Sequence, residues 1–296
     1  MAQKSVRKAV IAAAGFGTRF LPQTKAMPKE MLPIVDKPII QYIVEELVEA
    51  GIEDIILVTG YHKRTIEDHF DRISADLRAN LEESGKHELL GQTRKISELA
   101  NFAYIRQKGR YGNGTPVLNA EPLIGDEPFI YAFADDMYRG TPSRFQQLID
   151  MYHKYDTGVL ACMPVQTEAD YARYAIVDGT ELEPGVLQMK TIIEKPGKEK
   201  APSNLASVGG YLFTPDIFPH VREARAQLEK GKEFYIQTAM QMLIDNGGKL
   251  LACEIKNNHY YDTGNKLEYL KTAIDFALRR DDIGAEFRKY LGSLDL

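Results

Sequence analysis

The 296-residue sequence lacks an excess of basic charge and any long apolar run, and each absence argues against a class of function. Its 37 lysines and arginines are outnumbered by 42 aspartates and glutamates, which gives a net charge of −5. A nonspecific nucleic-acid binder would carry a basic surface instead, so nucleic acid is not an expected partner. No stretch approaches the length of a membrane span, so the membrane is not an expected partner either.

Cysteine is also scarce, and the two cysteines do not form a recognisable site. Cys162 and Cys253 each lie within an apolar run, with neither metal-ligand spacing nor a disulfide framework. The six histidines show no ligand spacing, and no Ser-His-Asp arrangement is evident. We therefore expect two reduced cysteines in the core and no zinc site.

The N-terminus carries three cations, Lys4, Arg7 and Lys8, before a short apolar run, as a signal peptide would. That run continues into Gly-Phe-Gly-Thr-Arg and not into a cleavage site. The pattern therefore favours a strand, and it predicts a cytoplasmic protein.

Segment 9–36 is the most informative part of the chain. An apolar strand over 10–14 runs directly into a loop that contains Gly15, Gly17 and several cations. Small residues allow backbone N–H groups to approach a phosphate, and nearby cations add favourable charge. Open α/β sheets bind their ligands at the carboxyl ends of strands. The pattern therefore predicts an anion-binding loop after the first strand.

Two common phosphate-binding loops do not fit this segment. A dinucleotide-binding fingerprint needs a third glycine and an immediate helix, whereas Pro22 interrupts helix continuation here. A P-loop needs Gly-Lys-Ser or Gly-Lys-Thr, and Gly17-Thr18-Arg19 differs from both. A glycine turn with solvated cations is the alternative for a short Gly-x-Gly. The full pattern G-x-G-T-R-x-x-P-x-T-x-x-x-P-K-E-x-L-P favours a functional loop.

This pattern closely resembles the signature of the sugar-1-phosphate nucleotidyltransferases, which use a nucleoside triphosphate. Residues 24–38, T-K-A-M-P-K-E-M-L-P-I-V-D-K-P, look like the bacterial UTP–glucose-1-phosphate uridylyltransferases in particular. Shorter motifs extend the resemblance over most of the chain. The resemblance implies an α/β fold of the nucleotide-diphospho-sugar transferase type, in which helices flank a Rossmann-like, mixed and mostly parallel sheet.

The residue patterns predict the same class of fold. Strands and helices alternate, which is typical of a mostly parallel sheet with crossover helices. Strands are predicted at 6–13, 54–59, 102–106, 129–134, 158–164, 174–178, 186–194 and 206–213. Helices are predicted at 38–50, 233–246 and 265–280, with a helical insertion at 75–98 and an amphipathic tail at 283–296 that is a candidate subunit contact.

No internal repeat and no low-complexity linker divides the chain, so a single domain is expected over 1–296. We expect a nucleotide-binding half at about 1–140, a sugar-binding half at about 141–262 and C-terminal helices at about 263–296.

The resemblance assigns the glycine loop to the triphosphate. Nucleotidyl transfer is an in-line attack on the α-phosphorus with pyrophosphate leaving, so side chains contribute position and charge more than covalent chemistry. Arg19 would hold the phosphates that leave, and Lys29 would reach the α-phosphate. The resemblance also implies backbone contacts of Ala14 and Gly15 with the nucleoside, and a contact from Glu30.

Two aspartates are the expected ligands of Mg²⁺. Asp135 and Asp136 end the apolar run PFIYAFA, and Mg²⁺ binds through one or two carboxylates together with phosphates. From the residues alone, Asp-Asp after a strand is more often a loop or helix cap, and Asp262 fits an N-cap. The resemblance makes Asp135 and Asp262 the two metal ligands.

A further set of residues is expected to bind the sugar. From the residues alone, Glu194-Lys195-Pro196 reads as a surface turn with an exposed ion pair. By the resemblance, Glu194 accepts hydrogen bonds from sugar hydroxyls, Lys195 is a catalytic residue on the sugar phosphate, and Gly209 lets the hexose lie against the backbone. Ala175 stands where the family usually has the glycine of Tyr-Gly, which keeps the N–H but adds a methyl group.

The resemblance makes segment 106–116 the base-reading loop. Gln107 carries the donor and acceptor that can read the edge of uracil, and Gly112 supplies a backbone partner. The family usually continues with Gly-Leu-Gly-His-Ala, whereas Asn113 and Thr115-Pro116 occupy the apolar, histidine and alanine positions here. A second departure lies at 233–238, where the family more often has Leu-Thr-Asp.

The expected reaction is transfer of a uridylyl group from UTP to glucose 1-phosphate, with Mg²⁺, in a homo-oligomer (a dimer or tetramer). A related pyrophosphorylase that uses dTTP or another sugar 1-phosphate is an open alternative. A noncatalytic homologue that binds sugar nucleotides is another, although the intact catalytic and metal-binding positions oppose it. A nicotinamide-dependent oxidoreductase is opposed by the prolines after the glycine loop.

Overall fold

A nine-stranded sheet forms the centre of the structure, a computed structural model that describes residues 3–295. Including four short strands outside this sheet, the strands are β1 (Lys8–Ala13), β2 (Pro33–Ile34), β3 (Lys37–Pro38), β4 (Asp54–Thr59), β5 (Asn101–Arg106), β6 (Phe129–Phe133), β7 (Asp136–Gly140), β8 (Gly158–Pro164), β9 (Ala175–Glu183), β10 (Val186–Glu194), β11 (Leu205–Phe213), β12 (Leu250–Glu254) and β13 (Asn258–Asp262). The helices are α1 (Ile39–Glu49), α2 (Arg64–Phe70), α3 (Ala75–Glu83), α4 (His87–Ser97), α5 (Gly114–Ile124), α6 (Arg144–Tyr155), α7 (Glu168–Arg173), α8 (Ile217–Ala226), α9 (Ile236–Asp245), α10 (Lys266–Leu278) and α11 (Gly284–Gly292).

The strand order in the sheet is β5-β4-β1-β6-β11-β8-β12-β10-β9. The first four strands pair in parallel, and only β11 and β10 run opposite to the other seven. Successive residues of β1 alternate between two apolar clusters, with Val10 in one and Ile11 in the other. Because side chains of a strand point alternately to its two faces, the clusters cover opposite faces of the sheet. The prediction of a mixed, mostly parallel sheet flanked by helices is confirmed.

Strand β11 contains a bulge that matters for the site. Ser207 pairs with Cys162 of β8, but the next pair is Tyr211 with Leu160, so three residues of β11 stand opposite one. Before the bulge β11 also pairs with β9, and after it β11 pairs with β6. Gly209 and Gly210 adopt positive φ angles of 79° and 126°, which favour glycine. The bulge therefore leaves a gap in the sheet between β6 and β9.

All eight predicted strands and the predicted helices exist, with ends shifted by up to five residues. The helical insertion is two helices, α3 and α4, and the tail contains α11, although residue 296 lies outside the described residues. One boundary is wrong: the base-reading loop ends earlier than 116, because α5 begins at Gly114 and takes Thr115 and Pro116 into its first turn. Proline is tolerated there because the N–H groups of a first turn have no helical partner.

Both cysteines are free and buried, as expected, and burial raises the pKa of each thiol. Across residues 3–295, no helix combines the length and the apolar character needed to cross a membrane.

Candidate active site

Several of the expected site residues lie at one edge of the sheet, where three parallel strands end. The carboxyl end of β1 leads into the glycine loop, that of β5 into Gln107, and that of β6 into Asp135. β1 pairs with β6 on one side and with β4 on the other, and β4 pairs with β5. The loops after these strands therefore meet above the same edge, as the first-strand pattern predicted.

A separate two-stranded sheet brings in the second expected aspartate. β13 pairs antiparallel with β7, and Asp262 stands directly opposite Asp136. The Thr263 hydroxyl and N–H both donate to the Asp135 carbonyl, at 2.5 and 3.2 Å. A Cβ placed on Gly264 would lie 2.8 Å from Asp135 Oδ2 and 3.1 Å from Asp262 Oδ1. The two carboxylates thus converge on one small space that glycine leaves open.

Two cavities meet at this point. The first, the loop cavity, has a volume of about 540 Å³, and its lining includes Ala14, Gly15, Lys29, Gln107, Gly112 and Asp135. The second, the bulge cavity, has a volume of about 290 Å³, and its lining includes Arg19, Ala175, Glu194, Lys195, Gly209 and Asp262. Lys29 and Asp135 line both cavities. All the residues expected from the sequence except Glu30 therefore face one connected space.

Two basic side chains offset the negative charge of the two aspartates. Lys29 forms an ion pair with Asp135, and Arg173 Nη1 lies 3.1 Å from Asp262 Oδ2. Burial opposes the charge on Lys29, but the carboxylates of Asp135 and Glu30 outweigh it, so the Lys29 pKa is raised. Burial and the charge of Asp135 raise the pKa of Asp262, against the effect of Arg173. Lys29 therefore carries its positive charge at neutral pH.

Asp136, to which the resemblance assigns no ligand role, is partly buried. It accepts a hydrogen bond from the Tyr260 hydroxyl at 3.1 Å. Burial, followed by the charges of Asp135 and Asp262, raises its pKa to about 7. Three carboxyl groups thus share a small volume, and the charges of Asp135 and Asp262 disfavour ionisation of Asp136.

The donor set fits Mg²⁺ only if a substrate completes it. Among residues 3–295, no group of three or more His, Cys, Asp or Glu side chains is arranged to hold a metal. Asp135 and Asp262 offer carboxylate oxygens to one open space, and Mg²⁺ commonly takes one or two carboxylates together with phosphates. The two aspartates are therefore suited to a metal that arrives with a phosphorylated ligand.

The bulge cavity collects groups from three strands. Glu194 ends β10, Ala175 begins β9 directly opposite it, and Gly209 lies in the β11 bulge. Burial raises the pKa of Glu194, against the effect of Lys195, whose Nζ lies 3.3 Å away. Lys195 has a positive φ of 48°, a backbone conformation that is uncommon for residues other than glycine. Such a conformation at a cavity wall is typical of functional sites.

The loop cavity is closed on one side by a backbone clamp. Phe234 N–H donates to the Tyr111 carbonyl at 2.7 Å, and Gly114 N–H donates to the Phe234 carbonyl at 2.9 Å. Gly112 lies between these bonds with a φ of 123°, and a Cβ there would lie 2.1 Å from the Phe234 oxygen. Only glycine fits at this position. Gln107 faces the same cavity, and its side-chain amide makes no hydrogen bond within residues 3–295.

Glu30 lies apart from the other expected site residues. It is fully buried, lines neither cavity and forms an ion pair with Lys63 at 2.6 Å. The Glu30 side chain is therefore directed to Lys63 and to neither cavity, and its expected contact with the nucleoside stays a prediction. Burial raises the pKa of Glu30 and lowers that of Lys63. The pair fixes segment 28–31, which carries Lys29.

Sequence reasoning missed several residues of the bulge cavity, among them Arg173 and Gln237. Arg173 directly precedes the Tyr174-Ala175 motif, so its position beside a named motif was an available signal. Gln237 lies within the departure at 233–238, but nothing in the sequence indicated which neighbour it contacts.

The comparisons with known proteins agree with this geometry. The Nucleotidyl transferase family model matches residues 8–277, and the chain belongs to this family. It is 47% identical to the UTP–glucose-1-phosphate uridylyltransferase of Bacillus subtilis (strain 168) over 291 residues, 98% of each chain. The resemblance drawn from the sequence is confirmed.

Solved structures give the same result. A UDP-glucose pyrophosphorylase complexed with UDP-glucose is 39% identical with a TM-score of 0.83, and the match covers 93% of this chain and 100% of that one. A UTP-bound UGPase from Acinetobacter baumannii is 34% identical with a TM-score of 0.87, and the match covers 98% and 100%.

The buried ion pair behind the site gives a first prediction. Lys63→Met leaves the Glu30 carboxylate buried without its counter-charge, which should lower the free energy of unfolding by about 3–5 kcal/mol. Adding Glu30→Met should recover most of this loss, because two apolar side chains of similar volume replace the pair. Urea denaturation measures both effects.

The matched control is Lys271→Met, which removes an exposed ion pair with Glu268 on α10. It should change the unfolding free energy by less than about 1 kcal/mol. Equal losses for Lys63→Met and Lys271→Met would show that the buried pair does not support the segment.

Proposed function

We propose that this chain transfers a uridylyl group from UTP to glucose 1-phosphate, which yields UDP-glucose and pyrophosphate. The observation that carries the proposal is the position of Asp135 and Lys29, which line both cavities at their junction. A nucleotidyl transfer needs the α-phosphate of one substrate in line with the phosphate of the other. Two cavities that share a carboxylate and a cation provide this arrangement.

The loop cavity would hold UTP. The backbone of Ala14 and Gly15 would contact the nucleoside, and the cations near the glycine loop would face the triphosphate. Gly112 and the free Gln107 amide would face the base. The Gln107 amide has both a donor and an acceptor, as the imide edge of uracil requires. Arg19 lines the bulge cavity and donates to the Gly264 carbonyl at 3.3 Å, and we assign it to the phosphates that leave as pyrophosphate.

The bulge cavity would hold glucose 1-phosphate. Glu194 would accept hydrogen bonds from ring hydroxyls, and the Gly209 backbone would pack against the ring. Lys195 would contact the phosphate, and its uncommon backbone conformation would aim it there. Ala175 lines the same cavity, and its methyl group occupies space that glycine would leave to the sugar.

Asp135 and Asp262 would hold Mg²⁺, which when bound would neutralise phosphate charge at the reacting α-phosphate. An oxygen of the sugar phosphate attacks the α-phosphorus, and the bond to pyrophosphate breaks. The attacking phosphate is already ionised at neutral pH, so no side chain has to remove a proton. Lys29, kept charged by its carboxylate neighbours, would stabilise negative charge on the α-phosphate.

We further propose a single domain with a nucleotide half at about 1–140 and a sugar half at about 141–262, in a cytoplasmic homo-oligomer. Exposed apolar side chains on the C-terminal helices support a subunit contact there. Leu267 and Leu270 of α10 are 60% and 58% exposed, and Tyr290 of α11 is 59% exposed.

The metal assignment gives a second prediction. Asp135→Asn and Asp262→Asn should each lower kcat by about 10²-fold or more, as loss of a preorganised electrostatic group does. Pyrophosphate release, measured as a function of Mg²⁺ concentration, tests this. Asp150→Asn on the exposed face of α6 is the control and should leave turnover unchanged. Turnover near the wild-type rate for either site variant would remove that residue from the metal site.

The division between the cavities gives a third prediction. Lys195→Ala should weaken the binding of glucose 1-phosphate about 10-fold or more, because a charge-assisted contact is lost, and should leave UTP binding within about twofold. Titration calorimetry with each substrate separates the two effects. The control Lys198→Ala removes an exposed lysine three residues away. An equal loss for both substrates would contradict the division.

Base selectivity gives a fourth prediction. Thymine differs from uracil by one methyl group, whose rejection contributes about 10- to 200-fold to kcat/KM. UTP should exceed dTTP within that range, and purine nucleotides should be poor substrates. Pyrophosphate release from a panel of UTP, dTTP, CTP, ATP and GTP with glucose 1-phosphate measures the ratios. A higher kcat/KM for dTTP or ATP than for UTP would overturn the uridylyl assignment and favour the related pyrophosphorylase.

A further inference from the structure

The two departures from the family pattern, at Asn113 and at 233–238, contact each other directly. Asn113 Oδ1 accepts a hydrogen bond from the N–H of Ile236 at 2.8 Å, and its Nδ2 donates to Gln237 Oε1 at 3.3 Å. Gln237 Nε2 then donates to the Tyr211 hydroxyl at 3.2 Å. Two deviations more than a hundred residues apart in sequence are therefore one hydrogen-bonded feature.

The orientation of each amide in this chain follows from its neighbour. A backbone N–H can only donate, so Ile236 must meet the oxygen of Asn113, which turns the Asn113 NH₂ group towards Gln237. Gln237 must then present its oxygen to Asn113 and its NH₂ group to Tyr211. Gln237 is only 6% exposed, so an unmet bond here would be costly.

The same pair connects the two cavities. Asn113 lines both of them, whereas Gln237 lines the bulge cavity and not the loop cavity. Asn113 directly follows Gly112, and its carbonyl accepts a hydrogen bond from the Tyr131 hydroxyl at 2.6 Å. Its side chain also satisfies the first N–H of α9, whose preceding residue, Tyr235, offers no side-chain cap. A shift of Gln237 would therefore move the loop that carries Gly112.

We propose that Asn113 and Gln237 are positioning residues that act as one unit and couple nucleotide binding in the loop cavity to sugar-phosphate binding in the bulge cavity. This proposal rests on the proposed function for the identity of the two ligands. A substitution in the sugar-facing wall should therefore weaken binding of the nucleotide, which that residue does not contact.

The decisive variant is Gln237→Met, which keeps the volume and removes the amide. UTP binding, measured calorimetrically with Mg²⁺ and without sugar phosphate, should weaken about 5-fold, within the range of coupling through packed networks. Asn113→Leu, which introduces the apolar residue type usual in the family, should weaken it about 10-fold because Ile236 and Gln237 both lose a partner. The double variant should bind UTP within about twofold of Asn113→Leu. Replacing Gln237 should add little once Asn113, its hydrogen-bond partner, is absent.

Gln241→Met is the matched control on the same helix. Its amide bonds to the backbone of β10 at Ile192 and Lys190, and it lines neither cavity. It should lower the melting temperature without changing UTP affinity. Unchanged UTP affinity in Gln237→Met, or a double-variant loss equal to the product of the single losses, would overturn the proposal. Gln237→Met alone decides the matter if Asn113→Leu does not fold.

Failure of the proposed function would look different. A wild-type chain that does not bind UTP would overturn the uridylyl assignment. The pairing of Asn113 with Gln237 would then be tested by the melting temperatures of the wild type, the two single variants and the double variant. Additive shifts in melting temperature would overturn the pairing, and non-additive shifts would support it.

Discussion

The antiparallel register of β13 against β7 is the constraint on which the rest of the site depends. It places Asp262 opposite Asp136, and therefore beside Asp135 at the end of β6. Thr263 fixes the register from the other side through its two bonds to the Asp135 carbonyl. Because side chains alternate along a strand, a slip by one residue would turn Asp262 to the opposite face. A short two-stranded sheet thus brings together two carboxylates that are distant in sequence.

Bringing carboxylates together has an electrostatic cost that the surrounding cations offset. Lys29 and Arg173 each pair with one aspartate, and the raised pKa of Asp262 records the remaining repulsion and burial. Under the proposed function, phosphates need the same cations. Substrate binding would therefore exchange carboxylate partners for phosphate partners, and the metal would then compensate the charge of the aspartates. The buried Glu30–Lys63 pair holds the segment on which this exchange takes place.

Much of this arrangement could be predicted from the sequence, and the reason is local. Strands β4 and β8 are nearly continuous apolar runs, so they have the predicted bounds. The glycine loop and Asp135 follow strands directly, so their place at the sheet edge follows from strand direction. The β7–β13 pairing could not be predicted, because NHYYD and DMYRG are short and half polar. Nor could the Asn113–Gln237 contact, since each departure was visible but not its partner. The burial of Glu30 could not be predicted either, because a motif shows which residues stand together and not which of them is buried.

The central claim is that Asp135 and Asp262 hold one metal together, and Mn²⁺ binding in the presence of UTP tests it most directly. Electron paramagnetic resonance should detect one Mn²⁺ per chain, and Asp135→Asn and Asp262→Asn should each weaken its binding at least about 10-fold, a loss that even outer-shell changes can cause. Wild-type affinity in Asp262→Asn would show that the two carboxylates do not share a metal, and would contradict the account.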